Sequence, residues 1–134
     1  MKREKILENL KSQVKNGSHI IGVATSSGVT AKYSQNGGAD FLLILNSGRF
    51  RQMGRSSLAG FLPFCNSNDM VMKFVSREIL PLVKDIPIIF GLNATDPTKD
   101  LENYIDEIKN MGVDGINNYP TCLLYTSDAA DDRI

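Results

Sequence analysis

Five consecutive apolar residues, Phe41-Leu42-Leu43-Ile44-Leu45, stop abruptly in Asn46-Ser47-Gly48-Arg49. An unbroken apolar run of strand length leaves no side for solvent. It predicts a strand buried on both faces, as in parallel α/β sheets. Folds of that class keep their ligand chemistry just beyond the C-terminal ends of the strands. The small, polar and cationic residues at 46–49 are therefore the first place to look for a site.

The same punctuation recurs along the chain. Ile20-Ile21-Gly22-Val23-Ala24 reads as a short buried strand that leaves into the hydroxyl-rich turn Thr25-Ser26-Ser27-Gly28. Ile88-Ile89-Phe90 is a third strand, leaving into Gly91-Leu92-Asn93-Ala94-Thr95-Asp96-Pro97-Thr98, and 113–118 a fourth, ending in Tyr119-Pro120-Thr121. Helical periods lie around these strands. Residues 2–15 carry the stripe Ile6, Leu7, Leu10 and Val14 and end at Asn16-Gly17, and 30–36 end at Gly37. Asn66-Ser67-Asn68-Asp69 offers several N-caps for a helix with the buried stripe Met72, Val75, Ile79 and Leu82, ended by Pro81. Asp96-Pro97 reads as an N-cap with proline at the first helical position, before the stripe Leu101, Tyr104, Ile105, Ile108 and Met111, which Gly112 closes. Residues 46–63 show no clean period and read as a long functional or mobile connection holding Arg49, Arg51 and Arg55.

The order is a helix, then βα three times, then β, which predicts a parallel sheet with right-handed crossovers. An open doubly wound sheet and a (β/α)8 barrel both fit. Gly38-Ala39-Asp40 and Gly112-Val113-Asp114 occupy the same place before a strand, a joint common in barrels. A barrel takes about 250 residues, so 134 residues supply roughly its first half. Four strands of eight leave an open edge, and the isolated chain is expected to be poorly stable.

Charge excludes some classes. Fifteen basic residues balance fifteen acidic ones, which gives no basic face for nucleic acid. No apolar run approaches the ~20 residues of a membrane span, and the N-terminus lacks the apolar core of a signal peptide. Cys65 and Cys122 have no partner spacing for a disulfide framework or a zinc site. A soluble cytoplasmic protein is expected. No paired carboxylates, His-containing metal motif, P-loop or nucleophile elbow occurs. His19, Asp40 and Asp114 precede their strands, on the stability face of a barrel, and Cys65 reads as a small buried residue.

Asn46-Ser47-Gly48-Arg49 carries two readings: an anion site in which Asn46 orients a carboxylate or phosphate, Gly48 allows close backbone approach and Arg49 neutralises the charge, or a plain βα turn whose Asn and Gly serve backbone shape while Arg49 sits in solvent. Arg55, among Gly54, Ser56 and Ser57, is the better of two lid arginines, ahead of Arg51. Asn93 and Asn117, with Asn46, would ring a barrel mouth with amides, which suit hydrogen bonding to a polar small molecule better than proton transfer. Asn66, Asn68 and Asp69 read as helix-capping residues.

Asn46-Ser47-Gly48-Arg49-Phe50-Arg51, Gly54-Arg55-Ser56-Ser57-Leu58-Ala59-Gly60, Asn93-Ala94-Thr95-Asp96-Pro97 and Asn117-Asn118-Tyr119-Pro120-Thr121 together resemble the phosphoenolpyruvate hydrolase-like family of TIM-barrel signal transduction proteins. The resemblance covers nearly all of residues 1–121. It implies the first half of a (β/α)8 barrel whose intact form acts on a small anionic carboxylate or phosphate compound, as a lyase or hydrolase of the pyruvate type. The alternative it carries is a non-enzymatic regulatory barrel that binds a small ligand or a protein partner. The catalytic base is unknown and would lie outside this half. A divalent metal enters only by analogy with related barrels, with no ligand set visible; a homo-oligomer, with two halves self-associating into a pseudo-barrel, is an open alternative that no residue pattern specifies. The family's glycine-rich first turn is replaced here by Ala24-Thr25-Ser26-Ser27-Gly28. From Cys122 onward the chain resembles a translated sequencing-adapter read-through, as found at the ends of metagenomic reading frames. Residues 1–121 are thus expected as the partial barrel and 122–134 as a non-native or disordered tail.

Overall fold

A computed structural model of the chain describes residues 3–61 and 65–118. The tail expected at 122–134 and the motif residues Tyr119-Pro120-Thr121 lie outside the described residues. Helix α1 (Arg3–Lys15) leads into β1 (Gly22–Thr25), α2 (Gly28–Asn36), β2 (Phe41–Ile44) and α3 (Asn46–Gln52). A 3₁₀ turn (Ser57–Phe61), α4 (Ser67–Phe74) and a π-helical turn (Val75–Ile79) follow, then β3 (Ile88–Leu92), α5 (Leu101–Met111) and β4 (Gly115–Asn118). The strands form one parallel sheet in the order β1-β2-β3-β4. Sequential parallel strands joined by helices are the arrangement of one half of a (β/α)8 barrel.

One face of the sheet carries the core. Leu42 pairs in register with Ile88 and Ile44 with Phe90, and all four are buried. They pack with Ala31 of α2, Val71 and Phe74 of α4, Val75 and Ile79 of the π turn, and Tyr104 and Ile108 of α5. Leu43 and Ile89, on the opposite face, are half-buried. The expectation that β2 is buried on both faces is corrected to this alternation, because every helix residue of the core cluster groups with a single face of the strands. The first strand also departs from expectation. It begins at Gly22, leaving Ile20 and Ile21 exposed ahead of it, and Val14 of α1 is 62% exposed.

Two aspartates set the start of the sheet. Asp40 accepts the Ile21 N–H at 2.7 Å and the Gln13 amide at 2.7 Å, while its own N–H donates to the Ile21 carbonyl. Asp114 repeats the device on Ile88, accepting its N–H at 3.0 Å and donating to its carbonyl. Each ties the start of its strand to the neighbouring strand, a structural task at the N-terminal end. Gly112 ends α5 with φ +105, a left-handed conformation that glycine adopts without strain.

Three expectations about the helices are corrected. Residues 46–52, read as loop, form α3. Its first turn is Asn-Ser-Gly, and burial of Asn46, Ser47, Gly48 and Phe50 holds it rather than an apolar stripe. Helix α5 begins at Leu101 instead of after Asp96, because Asp96 is engaged elsewhere. Past α4, Leu82 is exposed although it was expected in the buried stripe. The π turn inserts a residue into the helical repeat and shifts its phase, so that Val83 rather than Leu82 reaches the core. Ser76 sits in that turn and donates back to the Met72 carbonyl at 2.8 Å. Asn66 caps α4 as expected, accepting the Asp69 N–H at 3.0 Å. Cys65 is exposed rather than buried.

Candidate functional site at the strand exits

The exits of β1 and β2 meet at one corner. Asn46 (2% exposed) and Ser47 (0%) open α3 directly after β2, and Ser26 (0%) follows β1. The Ser26 hydroxyl lies against Gly48, in the place that a Cβ at residue 48 would need. A side chain at 48 would push that hydroxyl aside, so glycine keeps it in place through space and not through its backbone angle. Among the described residues, the hydroxyls of Ser26 and Ser47 are buried and make no hydrogen bond. Buried hydroxyls usually find a partner, so such groups call for an explanation.

Arg49 leaves this corner. Its guanidinium pairs with Glu78 at 3.3 Å and donates to the Ser26 carbonyl at 3.4 Å. Glu78 also accepts the Gly28 N–H at 3.4 Å. Arg49 is therefore a strut between α3, the π turn and the start of α2. Arg51 and Gln52 point the other way. With Ala24, Thr25, Ser26, Thr30 and Gly48 they line a cavity of about 240 Å³. Gln52 donates to the Ser27 hydroxyl at 3.2 Å and Arg51 to the Ser57 hydroxyl at 2.9 Å. Thr25 and Thr30 share a hydroxyl–hydroxyl hydrogen bond. Arg55 is exposed beyond the end of α3.

The exit of β3 is built differently. Asn68, buried in α4, accepts the Asn93 N–H at 2.8 Å and donates to the Asn93 carbonyl and to Asp96, both at 3.0 Å. Asp96 also accepts from the Asn66 amide at 2.7 Å and from the Thr98 N–H and hydroxyl at 2.9 and 2.7 Å. Burial alone would raise the Asp96 carboxyl. The hydrogen bonds from Thr98, Asn66 and Asn68 outweigh it and hold the group well below the usual carboxylate range. Lys99 pairs with Asp69 at 2.6 Å, which raises its pKa, and lies 5.0 Å from the Tyr104 ring centre. Burial, reinforced by Asp69, Glu107 and Asp96, pushes the Tyr104 phenol up, and its hydroxyl donates to the Asn68 carbonyl at 3.1 Å.

The structure thus gathers Asn46, Ser47 and Gly48 at one corner. It turns Arg49 toward Glu78 and puts Arg55 in solvent. Asn93 spends its side chain on the Thr95 N–H and hydroxyl, at 3.2 and 2.8 Å. Asn117 lies within β4, in register with Gly91. Thr30 and Gln52 are not singled out in the sequence, Arg51 stands there only as the lesser of two lid arginines, and Ser26 stands out only within the hydroxyl run at 25–27. Among the described residues no group of three or more His, Cys, Asp or Glu side chains gathers as a metal site. The donors at the corner are hydroxyls and amides, and Asp96 is committed to its hydrogen bonds, so these residues do not fit a divalent metal. No helix among them is long and apolar enough to cross a membrane.

Comparison with known proteins places the chain. Residues 5–132 match the phosphoenolpyruvate hydrolase-like family. The chain is 41% identical over 124 residues to the ToMV resistance protein Tm-1(GCR237) of Solanum lycopersicum, and equally to the ToMV susceptible protein tm-1(GCR26) of the same plant. It is 38% identical over 122 residues to "Putative transcriptional regulatory protein y4pA" of Sinorhizobium fredii. These alignments cover 92%, 92% and 90% of this chain but only 16%, 16% and 20% of the relatives. The chain therefore spans about a sixth to a fifth of their length, and it belongs to the phosphoenolpyruvate hydrolase-like family.

Proposed function

We propose that the complete protein binds a small anionic carboxylate or phosphate compound at the C-terminal ends of its strands, and that it acts on this compound as a lyase or hydrolase of the pyruvate type. The observation that carries the reading is the pair of buried, unpartnered hydroxyls, Ser26 and Ser47, at the exits of β1 and β2. Hydroxyls left without protein partners at the face where barrel ligands sit are suited to donate to an incoming oxyanion. The family's description supports the pyruvate-type chemistry. Asn46 and Gly48 shape the same corner. The proton-transferring group is assigned to strand exits beyond the described residues.

A second reading is a regulatory barrel that binds such a ligand, or a protein, without turning it over. It is favoured by the chemistry of the corner, where hydroxyls and amides do not titrate near neutral pH. The names of the relatives, resistance and regulatory proteins, point the same way.

A calorimetric screen of the complete protein with phosphoenolpyruvate, oxaloacetate and related acids, run alongside a product assay, separates the two. Binding with turnover is expected for the enzyme. Binding heat without product supports the regulator. Neither heat nor product with any acid contradicts the anion site itself.

A further inference from the structure

We propose that the cavity between the end of β1 and α3 is a subsite for a tetrahedral oxyanion, either free phosphate or the phosphoryl group of a small compound. The inference rests on the reading of this face as an anion site, and gives that site a location and a preferred ion shape.

Four observations converge on it. Ser26 lines the cavity, and its buried hydroxyl, set against Gly48, has no partner among the described residues. Gly48 leaves this hydroxyl its space, since a Cβ at 48 would displace it from where it sits. The lining residues include Thr25, Ser26, Thr30, Gln52 and Arg51 and no carboxylate; Thr25, Thr30 and Gln52 also hydrogen-bond one another, so Ser26 and Arg51 are the main donors for an ion. The nearby Glu78 carboxylate is taken up by Arg49 and the Gly28 N–H, so its charge is countered before it reaches the cavity. Helix α2 contributes as well: Ser26 directly precedes its cap Ser27, and Thr30 lies in its first turn, at the positive end of the helix dipole.

Ion shape follows from where the donors originate. They come from the exit of β1, the first turn of α2 and the side of α3, and so approach from different directions. A planar carboxylate takes its strongest contacts in one plane, whereas a tetrahedral oxyanion accepts around its whole surface. The volume, about 240 Å³, lies below the several hundred Å³ of sites for drug-sized ligands. It suits a phosphoryl group.

The test uses the complete protein and inorganic phosphate, read by calorimetry, with acetate as the planar control. Wild type is expected to bind phosphate at least ten times more tightly than acetate. Arg51→Gln, an exposed position that leaves the core intact, should weaken phosphate at least tenfold. Ser26→Ala should weaken it severalfold, and Ser57→Ala, which removes only the outer partner of Arg51, should stay within twofold. Phosphoenolpyruvate losing affinity in parallel with phosphate identifies a phosphoryl compound as the source. Phosphoenolpyruvate binding no more tightly than phosphate identifies the free ion. Phosphate affinity indifferent to both Arg51→Gln and Ser26→Ala, or equal affinity for acetate, overturns the subsite. If small acids still bind in that case, the broader anion reading survives without it. If phosphate binds through Arg51 and Ser26 while no organic acid binds, the subsite stands and the pyruvate-type reading fails.

Discussion

The exits of β1–β2 and of β3 are made from the same kinds of residue and behave differently. At the β3 exit, Asn68, Asn93, Asp96, Thr98 and Asn66 satisfy one another, and the strand end is locked to the start of α4. At the β1–β2 exit, Ser26 and Ser47 are as deeply buried as Asn68, yet their hydroxyls make no hydrogen bond among the described residues. Polar residues at a strand end therefore do two jobs in this chain. One set spends its hydrogen bonds on the fold and the other keeps them available. Completeness of partnering separates the two, and composition does not.

The contrast can be broken by substitution, and the largest effect is expected at Asn68. Asn68→Ala strips both backbone groups of Asn93 of their partner and removes one donor from Asp96. Leaving such groups unpaired should cost about 3 kcal/mol in urea unfolding. Asp96→Ala comes next, at roughly 2 kcal/mol, because hydrogen bonds to a charged acceptor are the stronger kind. Asp96 also gives the lock a pH signature. Its folded carboxyl lies below its unfolded value of about 3.9, so its contribution is complete above that value and is lost as the pH falls through the folded pKa. Asp96→Asn should flatten the acid limb of the stability–pH curve, and an unchanged limb would remove Asp96 from the lock.

The opposite sign is expected at the other exit. In buffer free of anions, Ser26→Ala should leave stability unchanged or raise it by up to ~1 kcal/mol, since a buried hydroxyl without a partner is a net cost. The smallest effect belongs to the Arg49–Glu78 strut. Both side chains are 37% exposed, so Arg49→Ala should change unfolding by no more than about 1 kcal/mol. A larger loss would mean that α3 depends on the strut more than on the burial of Phe50.

The succession of strands and helices is legible in the sequence because each strand is a short apolar run closed by small polar residues. The aspartates at 40 and 114 announce their structural role through their matched places before two strands. Helix α3 is illegible, because a turn beginning Asn-Ser-Gly carries no helical signature and is stabilised only by what it is buried against. The exposure of Leu82 is hidden for a related reason: a π turn shifts the period, and no residue type in Val75–Ile79 declares it. At the site, the sequence picks out Asn46, Ser47 and Gly48 but ranks Arg49 and Arg55 ahead of Arg51, whereas the structure puts Arg51 at the cavity. The separation of Arg49 from Arg51 is a matter of helix phase, with Arg49 facing Glu78 and Arg51 facing the cavity.

The most direct test of the central distinction is the unfolding free energy of Ser26→Ala beside wild type, each measured without and with excess phosphate. A ligand that binds only the folded state stabilises by RT ln(1 + [L]/Kd). Wild type should gain about 1–3 kcal/mol from phosphate at 10 to 100 times Kd. Ser26→Ala should be at least as stable as wild type without phosphate and gain markedly less from it. A variant that is clearly less stable without phosphate, yet gains as much from it as wild type, would show that Ser26 serves the fold as Asn68 does, and the two exits would no longer differ in kind.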